Sequence, residues 1–114
     1  MKNRISDKVR LRHILEAIEE IEDYTNEISF EEFTENSIIL FASIKQLEII
    51  GEATKNLSED LKKKNDTIDW QTIVGLRNVL VHEYFGVDEK IIWEIIKIDL
   101  PQFHQEILQI LNNI

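Results

Sequence analysis

NSIILFASIKQLEIIGEATKNL, residues 36–57, reads as one long helix from about Glu35 to Asn56, and the fold follows from that reading. Its apolar residues run from Ile38 to Ile50 and fill more than one stripe of a helix surface. A helix that is hydrophobic nearly all round has to be covered on both sides. Gly51 is disfavoured in a helix interior by about 1 kcal/mol relative to alanine. It therefore reads as a packing glycine that lets a neighbouring helix or a second subunit come close.

Working outward, the chain keeps giving helices. Leu11, Ile14, Leu15, Ile18 and Ile21 recur at three- and four-residue spacing and predict a helix from about Asp7 to Tyr24. Ser29 opens S-F-E-E, a capping box for a short helical segment. Ser58 caps SEDLKKKN, with acids early and lysines late as the helix dipole favours. Asp69 caps a helix expected from Trp70 to about Phe85, with Gly86 at its end. Asp88 caps IIWEIIKI, and Pro101 sits just inside a restart capped near Asp99.

Three glycines and one proline are too few for a turn-rich β fold. The expected architecture is all-α: a single domain over residues 1–114 with four or five helices in a bundle. Ile91, Ile92, Trp93, Ile95, Ile96 and Ile98 again exceed one stripe. In a chain of this size the second covered side points to a symmetric homodimer.

Composition closes off several function classes. Cysteine is absent, which excludes disulfides and thiolate metal sites. His13 and His104 have no ligand-spaced companion, so neither a metal nor another cofactor is expected. The start MKNRISDKVRLR has no secretory apolar stretch and no run approaches membrane length, so a cytoplasmic location without membrane contact is expected. The net charge of -9 opposes non-specific adhesion to nucleic acid. Its distribution is uneven: Lys2, Arg4, Lys8, Arg10 and Arg12 cluster at the start, and Lys62, Lys63 and Lys64 form a second basic spot. Residues 16–35 hold nine acids and no base.

The chemistry-bearing residues gather in RNVLVHEYFG, residues 77–86, spaced R-x4-H-x-Y. On a helix advancing about 100° per residue, Arg77 and Tyr84 return to nearly one face, and Asn78 and His82 share a neighbouring one. Val74, Leu76, Val79 and Leu80 form the core-facing side. Arg77 and His82 lie roughly 140° apart, so convergence on one phosphate needs a distorted last turn, a long reach by arginine, or a cleft lined by two subunits. A histidine in the final turn meets unpaired carbonyls that favour a positive charge. It suits proton transfer at a ribose 2′-hydroxyl or a leaving 5′-oxygen. An arginine fork suits a phosphodiester gaining charge. The residues alone leave a second reading open, since a helix-terminal histidine is commonly a dipole-stabilised surface residue. Glu52 is either a solvated acid or the carboxylate that holds Arg77. Lys45 is a lesser phosphate candidate, and Trp70 and Trp93 read as core and interface anchors.

L-E-I-I-G-E-A at 47–53, Trp70, R-N-V-L-V-H-E-Y-F at 77–85, V-D at 87–88 and Trp93, with RHILEAIEEI in the first helix, resemble the HepT-like branch of the HEPN superfamily. The resemblance spans nearly the whole chain. It implies an all-α dimer whose motifs line a shared cleft, and a toxin of a prokaryotic toxin–antitoxin pair acting as a metal-independent ribonuclease. Arg77 and His82 would then be the catalytic pair, Asn78 and Glu52 accessory residues, and Tyr84 the acceptor of AMP from a minimal nucleotidyltransferase antitoxin. The substrate would be RNA, with tRNA and mRNA as candidates. The alternative is a non-catalytic helical module that binds nucleotides or docks the nucleotidyltransferase.

Overall fold

The computed structural model describes residues 2–82 and 88–114, with side chains for residues 7–76, 80 and 88–114. Among the described residues every regular element is helical. The elements are α1 (Lys2–Thr25), α2 (Phe30–Glu35), α3 (Ser37–Lys55), α4 (Glu59–Lys64), α5 (Trp70–His82), α6 (Glu89–Glu94) and α7 (Leu100–Asn112). A π-helical turn, Ile95–Asp99, joins α6 to α7. The all-α expectation holds, with six rods rather than four or five: four long ones and the short α2 and α4.

The caps explain the extra breaks. Ser29 and Glu32 complete the capping box of α2, each side chain bonding the other residue's amide, at 3.1 and 2.9 Å. Asn36 ends α2 and also caps α3 by accepting from the Ile39 amide at 3.1 Å. Ser58 caps α4 through the Leu61 amide, and Asp88 caps α6 through the Lys90 amide. At the end of α1, Glu27 adopts φ 66, the left-handed conformation that glycine would take at less cost.

One expected boundary is overturned. Asp99 makes no side-chain capping bond, and the helix does not restart there. Pro101 lacks an amide hydrogen and its ring crowds the carbonyl four residues earlier. The backbone answers by widening instead of breaking, and the Leu100 amide donates to the Ile95 carbonyl five residues back. The first helix also starts earlier than its apolar pattern, at Lys2 rather than near Asp7.

Helix α3 is the hub, packing along α1 on one side and α5 on the other, while α7 lies against α1. Leu11, Ile14, Ile18 and Ile21 of α1 meet Leu47 and Ile50 of α3 in a core that also takes in Phe33, Ile92, Phe103 and Ile107. Ser43, Gly51 and Thr54 are the small buried residues of α3. Trp93 is half-buried, with its ring 5.0 Å from that of Phe33 and 6.1 Å from that of Phe30. The Lys97 ammonium sits 4.8 Å over the Trp93 ring and donates to the Thr25 carbonyl at 2.9 Å. It thereby ties the end of α1 to the π turn.

Not all apolar surface is covered. Ile38 and Phe41 of α3 are 80% and 65% exposed, and Ile91 and Ile98 are 54% and 68% exposed. These are the two segments whose apolar residues exceed a single stripe.

Candidate functional site

The helix that carries the motif is fixed at both ends of its described length. Asp69 accepts from the Thr72 hydroxyl at 2.7 Å and from the Thr72 amide at 3.2 Å. These two bonds stabilise the ionised carboxylate and hold the Asp69 carboxyl below the usual aspartate range. Trp70 is buried, donates its indole N–H to the Asn65 carbonyl at 3.0 Å, and meets the Phe103 ring edge-on at 6.2 Å. Further along, Leu80 is buried in the core. Between these anchors Ile73, Val74 and Leu76 are only half-buried, so α5 presents apolar surface on more than its core side. Gly75 is open as well: a Cβ built there would meet nothing within 4 Å.

Positions 77, 78 and 82 all fall within α5 and so share one continuous helix. The side chains of Arg77, Asn78 and His82, and Val79 with them, lie outside the described residues. Residues 83–87 also lie outside them, and with these the expected AMP acceptor Tyr84, the expected helix end at Phe85 and its Gly86 cap.

Glu52 stands on α3, next to the buried Gly51, and α3 packs against α5. It is exposed; its carbonyl accepts from Asn56 Nδ2 at 2.9 Å and its carboxylate lies 3.5 Å from the same nitrogen. Lys45 is exposed and sits 3.8 Å from Glu48, as a solvated helix pair would.

Two polar sets were not legible in the sequence. Asp7 and Ser58 are 51 positions apart, yet the buried Asp7 carboxylate accepts from the Ser58 amide at 2.8 Å and from its hydroxyl at 2.5 Å. The same Ser58 oxygen accepts from the Leu61 amide at 3.2 Å, so the cap of α4 is locked onto α1. His104 of α7 lies between two carboxylates of α1, with Nδ1 3.0 Å from Glu22 and Nε2 3.5 Å from Glu19. It clamps α7 to α1. Among the described residues no group of three His, Cys, Asp or Glu side chains could hold a metal ion. An open groove of about 460 Å³ runs between α4 and the start of α5, lined by Lys62, Lys63, Asp66, Asp69, Trp70 and Gln71 among others.

The ribonuclease HepT-like family model matches residues 14–110, which includes the whole motif. The chain belongs to the HepT-like ribonuclease family. Similar proteins agree with that placement. The chain is 46% identical over 96 residues to "Probable ribonuclease HepT" of Thermococcus cleftensis, covering 84% of this chain and 87% of that one. It is 40% identical over 100 residues to "Putative RNase MJ1380" of Methanocaldococcus jannaschii, covering 88% and 92% of the two chains. It is 41% identical over 101 residues to "Putative RNase TTE0752" of Caldanaerobacter subterraneus, covering 89% and 90%. No solved structure matches the chain. Among the described residues no helix is long and apolar enough to cross a membrane.

Proposed function

We propose that this chain is the toxin of a prokaryotic toxin–antitoxin pair, a homodimeric RNA endonuclease that works without a metal ion and is silenced by AMP transfer to Tyr84. The observation that carries the reading is the family match together with a complete R-N-x-x-x-H-x-Y string whose first three polar positions fall in one helix, α5. The exposed Ile38, Phe41, Ile91 and Ile98 and the half-buried apolar residues of α5 support a second copy of the chain as cover.

In this reading His82 takes the proton of a ribose 2′-hydroxyl as its oxygen attacks the adjacent phosphorus, or returns a proton to the departing 5′-oxygen. Arg77 stabilises the extra negative charge of the phosphorane, and Asn78 and Glu52 keep the pair in place. The products are a 2′,3′-cyclic phosphate and a 5′-hydroxyl. On modification, the Tyr84 phenol oxygen bonds the α-phosphorus of ATP and pyrophosphate leaves. The bulky nucleoside monophosphate then fills the cleft and its charge repels RNA.

Incubation of total tRNA and mRNA in EDTA with protein shown by mass to lack AMP tests the reading. It predicts fragments ending in 2′,3′-cyclic phosphate. The net charge of -9 favours the second reading, a non-catalytic dock for a nucleotidyltransferase, because a general RNA binder is usually basic. Intact RNA in that assay, with the nucleotidyltransferase still bound, would favour the dock.

A further inference from the structure

We infer that the end of the bundle formed by the first half of α1 and the last turn of α4 is a docking surface for the phosphate backbone of RNA, separate from the motif. The inference rests on the ribonuclease reading for the identity of its ligand. Residues 1–12 hold five bases and one acid, a local charge of +4 in a protein of net charge -9. The second basic run, Lys62–Lys64, ends α4. Far apart in sequence, the helices that carry the two runs are joined at the start of α4, where the Asp7 carboxylate holds the Ser58 amide and hydroxyl. Arg12 lies within about 8 Å of Asp7 along the axis of α1, and Lys64 within about 9 Å of Ser58 along α4.

Helix stability does not account for the charges on α1. That helix has no acid in its first turn and no base in its last, while Glu16, Glu19, Glu20, Glu22 and Asp23 crowd its second half. The helix dipole favours the opposite arrangement by about 0.3–1 kcal/mol per terminal charge. Nor, among the described residues, are the exposed cations neutralised by neighbours. Lys62 is engaged, donating to the Lys55 carbonyl at 3.3 Å and lying 4.0 Å from Glu59. Lys8, Arg12, Lys63 and Lys64 are exposed and make no ion pair among the described residues.

The surface also lies on a path to the motif. The groove between α4 and the start of α5 has Lys62 and Lys63 on one side and Trp70 and Gln71 on the other. Positions 77 and 82 follow about 10 and 18 Å further along the axis of α5. Asp66, Asp69 and Glu59 line the same groove, so in this inference the phosphates ride over the exposed Lys63 and Lys64 beside it and not through it. A strand whose scissile bond lies at the end of α5 is thereby held along its flank, which gives an acidic protein enough local positive charge to retain RNA.

Fluorescence anisotropy with a fluorescein-labelled 2′-O-methyl oligouridylate tests the surface. This probe cannot be cut through its 2′-oxygen, so binding and cleavage are read separately. Wild-type protein is expected to bind it with a salt-dependent Kd. Lys63→Glu/Lys64→Glu and Lys8→Glu/Arg12→Glu are each expected to weaken binding and to flatten the plot of log Kd against log salt by about 1.4, two contacts at roughly 0.7 each. Lys90→Glu, an exposed base on α6, is expected to leave the slope unchanged. Far-ultraviolet circular dichroism and sizing confirm that each variant folds and assembles as the wild type does. Three results would overturn the inference: no binding by wild-type protein, slopes in both double variants equal to that of Lys90→Glu, or variants that keep the probe but lose a nucleotidyltransferase partner.

Discussion

Asp7→Ala removes the two hydrogen bonds that lock the cap of α4 onto α1, one of 2.8 Å from the Ser58 amide and one of 2.5 Å from its hydroxyl. Hydrogen bonds to a carboxylate contribute about 1.5–3 kcal/mol each, less what is regained when the carboxylate no longer has to be desolvated. The expected loss is therefore about 2–4 kcal/mol. Asp7→Asn keeps an acceptor for the amide, and its NH2 can donate to the Ser58 oxygen, so about 1 kcal/mol is expected there. Ser58→Ala keeps the amide bond to Asp7 but loses the hydroxyl bond and also the α4 cap, worth about 1 kcal/mol, so the cycle reads the hydroxyl–carboxylate bond. Urea unfolding followed by circular dichroism at one fixed protein concentration gives the double-mutant cycle. A coupling of about 2 kcal/mol between the two sites is predicted. Additivity within about 0.5 kcal/mol would show that the pair does not couple, and the reasoning would fail.

Other outcomes follow from single residues. Ser43 is fully buried and its hydroxyl has no hydrogen-bond partner among the described residues, so Ser43→Ala should raise stability by about 1 kcal/mol, seen as a higher Tm. Gly75→Ala has open space for its Cβ and should stabilise the monomer by about 0.5–1 kcal/mol. If a second copy packs on α5, the same change weakens the dimer, and sedimentation at several concentrations separates the two effects. The folded-state pKa of Asp69 is lowered by its bonds to Thr72, so its contribution is full above the unfolded value, about 3.9, and is lost as pH falls through the lower folded value. Asp69→Asn should therefore lose less stability than wild type as the pH is taken below about 4 in thermal melts.

What could be read from the sequence was local. Ser29, Ser58, Asp69 and Asp88 all act on amides two or three residues ahead, so the letters themselves announce each cap. The stripe from Leu11 to Ile21 likewise gave the core face of α1, because helical spacing alone sets it. Lys2 to Ser6 were missed as helix because Ile5 is their single apolar residue and sets no periodicity. Pro101 misled in the opposite direction: its usual effect is to end a helix, and here a single wide turn absorbs it. Asp7 with Ser58, and His104 with Glu19 and Glu22, depend on where helices meet, which no short window of sequence contains. Of the site, the placement of positions 77, 78 and 82 on α5 was legible from their spacing and the Asp69 cap. The motif's side-chain geometry depends on neighbouring helices and, in the proposed dimer, on a second chain.

The most direct test of the ribonuclease reading compares Arg77→Ala and His82→Ala with the wild type on one RNA in EDTA. Each protein must be free of AMP on Tyr84 and shown to fold and to assemble alike. Loss of a general acid–base is expected to slow cleavage about 10²–10⁴-fold, and loss of the phosphorane-stabilising arginine about 10²–10³-fold. Wild-type fragments should carry 2′,3′-cyclic phosphate ends. Cleavage that proceeds at the wild-type rate in both variants would contradict the account, since the chemistry would then lie outside the helix that carries the motif.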